Sequence, residues 1–152
     1  MGREEILERF NKYLEYNSDE AAMVAADEPR ARFIEALAEA SGQYLIVVEV
    51  LESANCNSGY NVGDQFVLDV AGNFIAKRCP QRMCVYLISQ LALPLGLMNE
   101  RFCAGLDPNG IHFMRRVNCL DAGVACKGYG AVQVGISAVP RREFLKAAKA
   151  VR

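Results

Sequence analysis

The feature that most constrains this 152-residue chain is the run YLIVVEVLE at positions 44–52. Apart from Glu49 and Glu52, it consists of β-branched and other apolar residues. Such a run is typical of a strand buried on both faces, or nearly so, because a strand with one solvated face alternates apolar and polar residues. We therefore expect a buried strand at these positions.

Alternating patterns predict further strands. Apolar residues recur at every second position in three later segments, which are QFVLDV (65–70), IHFMRRVNCL (111–120) and AVQVGISAV (131–139). The side chains expected on the inward rows are Phe66, Leu68, Val70, Ile111, Phe113, Val117, Cys119, Val132, Val134 and Ile136. His112 points away from its apolar row, so we expect it at the surface.

Helical patterns lie on both sides of these strands and once between them. Residues 3–40 are expected to form three short helices, with Ser18 or Asp19 capping the second and Pro29 opening the third. The internal helix is expected to start after Cys79 and to close at Pro94 and Gly96. A short basic helix is expected after position 140.

The order of elements predicts an α+β fold: a small, mainly antiparallel sheet with one internal helix. We expect a helical N-terminal extension at 1–42, the α+β core domain at 43–139 and a C-terminal helical tail at 140–152. The many alanines of the extension permit close helix approach. The extension therefore either folds back on the core or forms an arm for a homodimer or another protein partner.

Charge and hydropathy exclude several classes of partner. The 17 basic and 18 acidic residues nearly cancel, so we expect no nucleic acid and no anionic membrane as partner. The first residues lack the apolar core of a signal peptide, and no apolar run reaches the about 18 residues that span a bilayer. We expect a soluble, cytoplasmic protein.

The six cysteines are the main candidates for chemistry. In a reducing compartment, free thiols or metal ligands are expected rather than disulfides. No CxxC occurs, which excludes the usual spacing of zinc ribbons and of thioredoxin-like dithiols, and the ferredoxin spacings are not met either. The single histidine, His112, excludes zinc sites with two histidines. Any metal site must therefore be assembled from separate segments.

Cys79 is the strongest candidate. Pro80 favours the first helical position, which makes Cys79 the expected N-cap of the internal helix. Its sulfur would then face unpaired backbone N–H groups and the positive end of the helix dipole, with Lys77 and Arg78 beside it. These surroundings favour a thiolate, either as a nucleophile or as a metal ligand.

The other thiols divide into three groups. Cys84 lies at helical spacing with apolar residues and is expected to pack in the core. Cys56 lies in a loop rich in Asn, Ser and Gly, and Cys119 ends a strand before a glycine loop, so function and packing are both open for these two. Cys103 and Cys126 lie in loop-like segments and are weaker candidates for ligands.

Between positions 44 and 137 the chain resembles the TIGR04076 family of small, uncharacterised proteins. The resemblance rests on C-x-x-G-x-x-x-G-D-x-F (56–66), on Cys79 opening a helix that contains Tyr86, and on Cys119 followed by Asp121 and Gly123. The family implies no assigned activity. It singles out Cys56, Cys79 and Cys119, and because the chain departs from the family pattern around Cys103 and in the loop 126–130, the fourth ligand stays open.

Three hypotheses follow. The first is a domain that binds zinc or an iron–sulfur cluster through thiolates of Cys56, Cys79 and Cys119, with Cys126 or Cys103 as the fourth ligand. The second is a metal-free thiol enzyme or redox sensor that uses Cys79. The third is a non-catalytic interaction module that oligomerises through its N-terminal helices. The sequence names no substrate and leaves open whether the protein is an enzyme.

Overall fold

The computed structural model describes residues 2–150, apart from the side chains of residues 148–150. It confirms the α+β class. The helices are α1 (Arg3–Tyr13), α2 (Ser18–Ala26), α3 (Glu28–Gln43), α4 (Val85–Ile88), α5 (Ala92–Cys103) and α6 (Arg141–Ala150). The strands are β1 (Tyr44–Ala54), β2 (Gln65–Leu68), β3 (Arg116–Asn118) and β4 (Ala131–Pro140). Positions 151–152 of the expected C-terminal tail lie outside the described residues.

The predicted buried strand is an inner strand of the sheet. Within residues 2–150 the sheet has four strands in the order β2-β1-β4-β3, and each neighbouring pair is antiparallel. β1 pairs with β4 along its whole length, from Tyr44 opposite Pro140 to Ala54 opposite Ala131. Successive side chains of a strand point to opposite faces, and positions 45–48 are all buried, so the first half of β1 is covered on both faces.

The main core lies between one sheet face and the internal helices. Ile46, Val48 and Val50 of β1 share this face with the inward rows of β2 and β4, and they pack with Leu87 and Met98 from the helices. The helix α6 also contacts β1 and β4. Each fully buried aliphatic side chain of this kind contributes about 1.5–3 kcal/mol to folding.

The internal helix begins later than predicted. Cys79 follows a short 3₁₀ turn, Ala76–Arg78, and the helix α4 starts only at Val85, with Cys84 in the N-cap position. The hydroxyl of Tyr60 donates to the carbonyl oxygen of Arg82 and accepts the N–H of Cys84. These bonds hold the intervening segment out of a helix, so the prediction that Cys79 caps a helix is wrong.

The helical segment also ends later than predicted. Pro94 and Gly96 do not close it, since α5 runs through both to Cys103. Pro94 occupies the first turn of α5, where a missing N–H costs no hydrogen bond within the helix. Cys103, expected in a loop-like segment, is therefore the last residue of α5.

The strand predicted at 111–120 is reduced to Arg116–Asn118. Phe113, expected to face inward, is 75% exposed, and Met114 adopts a positive φ of 62°, which interrupts the extended backbone. Val117 is buried and His112 is exposed, as predicted. In β4, the inward row of Val132, Val134 and Ile136 is confirmed.

The N-terminal helices pack on the rest of the chain. The cap of α2 is Asn17 rather than Ser18 or Asp19, and Glu20 completes a capping box with it. α3 lies against α5, Ala40 belongs to the main core, and Gln43 is followed directly by β1. A smaller apolar cluster joins α1, α2 and α3 through Ile6, Val24 and Ile34.

None of the helices described here is both long enough and apolar enough to cross a membrane.

Replacing Ile46 with alanine tests the core assignment. Ile46 is fully buried, so the variant should lose about 2–5 kcal/mol of unfolding free energy, measured by urea denaturation. Met23, which is 67% exposed, provides the control, and Met23→Ala should change the unfolding free energy by less than about 0.5 kcal/mol. Equal effects of the two substitutions would contradict this packing.

Candidate functional site

A cavity of about 430 Å³ opens at the end of the sheet where β1 finishes and β4 begins. The cysteines that line it are Cys56, Cys84, Cys119 and Cys126. Cysteine accounts for 4 of the 18 lining residues but for only 6 of the 152 residues in the chain. The fold therefore gathers these four thiols from three separate segments of the sequence at one site.

Cys56 lies in the connection between β1 and β2. Its carbonyl oxygen accepts the N–H of Gly59 at 3.0 Å, and Gly59 closes this turn with a φ of 77°, which a residue with a side chain rarely adopts. The hydroxyl of Ser53 donates to the carbonyl oxygen of Tyr60 at 2.6 Å and ties the middle of the loop to β1. The side chain of Cys56 is half-buried.

Tyr60 connects this loop to the segment that carries Cys84. Its hydroxyl accepts the N–H of Cys84 at 2.8 Å and donates to the carbonyl oxygen of Arg82 at 2.9 Å. Its ring packs edge-on against Phe66, with the centroids 5.2 Å apart. Burial raises the pKa of Tyr60, and the charge of nearby thiolates at Cys84 and Cys56 would raise that pKa further. Both thiols thus lie close to one buried phenol.

Cys119 is held by β4 at both its backbone and its sulfur. Its N–H donates to the carbonyl oxygen of Val132 at 2.9 Å, and the N–H of Val132 donates to its Sγ at 3.3 Å. The Sγ also lies 3.8 Å from the carbonyl oxygen of Asp121. A backbone N–H directed at a cysteine sulfur is one of the contacts by which proteins tune metal-bound thiolates.

The carboxylate of Asp121 shapes the loop between Cys119 and β4. Its oxygens accept the N–H groups of Gly123 at 2.9 Å, Tyr129 at 3.1 Å and Gly130 at 3.2 Å. The bond from Gly123, followed by that from Gly130, lowers the pKa of Asp121. A side chain at Gly128 would collide with this carboxylate. The glycines of this loop therefore permit its closure around Asp121.

Gly130 joins the two cysteine-bearing loops. A Cβ atom at this position would collide with the backbone of Ala54 and Asn55, immediately before Cys56. The loop that carries Cys126 is therefore packed against the turn that leads to Cys56. Cys126 itself is exposed, at the end of a 3₁₀ turn.

The cavity contains two of the three thiols in the predicted ligand set. Cys56 and Cys119 line it, and so does Cys126, one of the two candidates for a fourth ligand. Cys79 and Cys103 are not among the lining residues. Cys84, which we expected only to pack in the core, contacts the core and also lines the cavity.

The surroundings of Cys79 are those of a hydrogen-bond donor. Its Sγ lies 3.4 Å from the carbonyl oxygen of Ile75 and 3.5 Å from that of Val67, and both contacts need the S–H proton. Arg78, expected to stabilise a thiolate here, stacks on the ring of Phe144, with its guanidinium carbon 5.2 Å from the centroid.

The cavity is not a closed coordination cage. Among the described residues, no group of three or more Cys, His, Asp or Glu side chains is positioned to hold a metal ion. Zinc–sulfur bonds measure about 2.3 Å, so the thiols would have to turn towards a common centre on binding. The exposed position of Cys126 and the half-buried positions of Cys56, Cys84 and Cys119 give them access to the shared space.

Comparison of the chain with protein-family models, with curated proteins and with solved structures finds no match. The resemblance to the TIGR04076 proteins stays a prediction. The fold and the site together define an α+β protein with a thiol-lined cavity at one end of an antiparallel sheet.

The hydrogen bonds of Asp121 predict how its loop responds to pH. Because the folded-state pKa of this carboxyl is lowered, its stabilising effect is complete above the unfolded value of about 3.9 and is lost as the pH falls through the folded value. The amide proton shifts of Gly123, Tyr129 and Gly130, measured by NMR, should therefore titrate together with a midpoint below that value.

Asp121→Asn supplies the matched control for this titration. The amide side chain keeps one acceptor oxygen but has no proton to gain in this range, so the three shifts should no longer titrate together. A midpoint at or above the ordinary aspartate value in the unsubstituted protein would contradict the arrangement.

Proposed function

We propose that this protein binds a soft metal ion or an iron–sulfur cluster through Cys56, Cys84 and Cys119, with Cys126 as the fourth ligand. The observation that supports this most directly is the presence of all four thiols on the wall of one cavity. Cys84 replaces Cys79 in the predicted set, because Tyr60 holds the backbone of Cys84 beside the loop of Cys56.

The chemistry of the ligands limits which metals can bind at this site. Thiolates are soft donors that select zinc, iron–sulfur clusters or cuprous copper over magnesium and calcium. The wall of the cavity contains no histidine, and its carboxylate, Asp121, is engaged by backbone N–H groups. An all-sulfur set therefore fits best, and zinc or an iron–sulfur cluster is the cofactor that we propose.

Binding would draw the cysteine-bearing segments together. Cys56, Cys84, Cys119 and Cys126 are all positioned by backbone hydrogen bonds, and Cys126 is the exposed one of the four. Metal binding of this kind couples to local ordering and releases the thiol protons. The N–H of Val132 already points at the sulfur of Cys119 and would stabilise it as a ligand.

Cysteine-to-serine variants separate this ligand set from the alternatives. The protein, purified without oxygen, should contain about one ion or cluster per chain by elemental analysis and absorption spectroscopy. Cys84→Ser and Cys119→Ser should each lower the metal content at least about tenfold, the range seen when a site loses even a supporting contact. Cys103→Ser and Cys79→Ser should leave the content unchanged, because these thiols do not line the cavity.

Two results would count against the proposal. Metal-free protein that is fully folded and takes up neither zinc nor iron would overturn it. If Cys79→Ser removed the metal while Cys84→Ser kept it, the ligand set read from the cavity would be wrong, and the one predicted from the sequence would be right.

The alternatives have less support from contacts. A metal-free thiol enzyme or redox sensor based on Cys79 loses the helix N-terminus on which it depended. An interaction module that dimerises through its N-terminal helices cannot use Ile6 and Ile34, which are buried within the chain itself, although Tyr13 and Met23 of these helices are exposed. Both alternatives stay predictions.

We place the protein in the cytoplasm, with neither nucleic acid nor a membrane as its partner. The reducing thiol pool there keeps cysteines available as ligands. The nearly balanced charge gives no electrostatic attraction to polyanions.

A further inference from the structure

A second cavity lies at the opposite end of the β1–β4 pairing from the thiol-lined cavity, where Tyr44 is opposite Pro140. Residues 42–44, residues 140–142 and Leu145 line it, so it lies between the junction of α3 with β1 and the junction of β4 with α6. Its volume is about 530 Å³, within the range of about 300–1,000 Å³ that is typical of pockets for small molecules. This second cavity has room for an organic ligand.

The charged residues on the wall of the second cavity are two arginines, Arg141 and Arg142, and no carboxylate is among the lining residues that the structure describes. Within the described part of the chain, neither arginine forms a salt bridge. Glu143 follows them in the first turn of α6, but it is exposed and does not line the cavity. The wall therefore presents positive charge without a neutralising partner among these residues.

The guanidinium of Arg141 is fixed at one nitrogen and has an unused donor at another. Its Nη2 donates to the carbonyl oxygen of Ser41 at 3.0 Å, which attaches the start of α6 to the end of α3. Its Nε is buried and has no hydrogen-bond partner among the described residues. Buried N–H groups are nearly always paired, so an unpaired one calls for an acceptor from outside the chain. Because Arg141 lines the cavity, an oxygen atom of a ligand there can supply this acceptor.

The backbone adds further donors beside the two arginines. α6 begins at Arg141, and the first N–H groups of a helix have no acceptor within the helix. Together with the positive end of the helix dipole, they favour an anion beside the first turn. These donors outnumber the two oxygens of a carboxylate. A phosphate group, with three terminal oxygens and about two negative charges at neutral pH, matches them better.

We propose that the second cavity binds the phosphate group of a small phosphate ester. Arg141 donates to the phosphate through Nε, and Arg142 supplies the second positive charge. The organic part of the ester lies along Tyr44 and Leu145, which provide apolar surface on the same wall. This inference goes beyond the proposed metal site and does not depend on it, since the two cavities share no described residue.

Three probes test the ligand class on the full-length protein by NMR titration at neutral pH and constant ionic strength. Phenyl phosphate has both the phosphate and a ring, inorganic phosphate lacks the ring, and benzoate has a carboxylate in place of the phosphate. Phenyl phosphate should shift the Nε–H signal of Arg141 together with the amide signals of residues 141–143. It should bind about threefold to tenfold more tightly than inorganic phosphate and about tenfold more tightly than benzoate.

Substitutions of single arginines identify the groups that hold the phosphate. Arg142→Gln removes an exposed charge, so the fold should persist while phenyl phosphate binds about tenfold more weakly. Arg141→Lys keeps the charge but lacks the Nε donor, and it should weaken binding by a similar factor. Arg32→Gln is the matched control, because Arg32 is an exposed arginine of α3 that does not line the cavity. Its affinity for phenyl phosphate should equal that of the unsubstituted protein.

Each outcome supports or overturns a defined part of the inference. If none of the probes binds, or if Arg142→Gln and Arg32→Gln weaken binding equally, the anion site does not exist. Benzoate binding as tightly as phenyl phosphate would overturn the choice of a phosphate group, and equal affinities for the two phosphates would overturn the organic part. Metal content enters none of these measurements, so failure here leaves the proposed function standing, and failure of the metal site leaves this inference standing.

Discussion

The antiparallel pairing of β1 with β4 is the constraint on which the site depends. Its register places Ala54, at the end of β1, opposite Ala131, at the start of β4. The chain that leaves β1 leads directly to Cys56, and the chain that enters β4 comes directly from the loop of Cys119 and Cys126. Two cysteine-bearing segments more than sixty positions apart in sequence therefore meet at one end of the sheet.

Hydrogen bonds and close contacts of individual residues then position the loops at this end of the sheet. Asp121 closes the loop before β4, and Gly130 lets that loop approach the backbone of Asn55. Tyr60 attaches the segment of Cys84 to the same end of the sheet, because its hydroxyl forms hydrogen bonds with backbone atoms of Arg82 and Cys84. A buried phenol can hold a non-helical segment in this way because its hydroxyl both donates and accepts.

Patterns along the sequence predicted the sheet better than the site. The alternation in β4 and the apolar run in β1 report burial directly, so both strands and their inward rows follow from spacing. The start of α4 depends on Tyr60, which lies 24 positions before Cys84, and no local pattern at Cys79 or Pro80 contains that information. The position of Cys56 and Cys119 at the cavity was therefore predictable, because both flank the paired strands. The position of Cys84 was not.

The contrast between Cys79 and Cys119 shows why position along the chain is a weak guide to thiol chemistry. Both are half-buried and both sulfurs lie near backbone carbonyl oxygens, but of the two only Cys119 also accepts a backbone N–H. Carbonyl oxygens surround the sulfur of Cys79 and require its proton, whereas an N–H of Val132 is directed at the sulfur of Cys119. A metal ion displaces the thiol proton, so Cys79 would lose both of its contacts, whereas Cys119 would lose its contact with the carbonyl oxygen of Asp121 but keep the N–H of Val132. The direction of these bonds, as much as the walls of the cavity, favours a site built without Cys79.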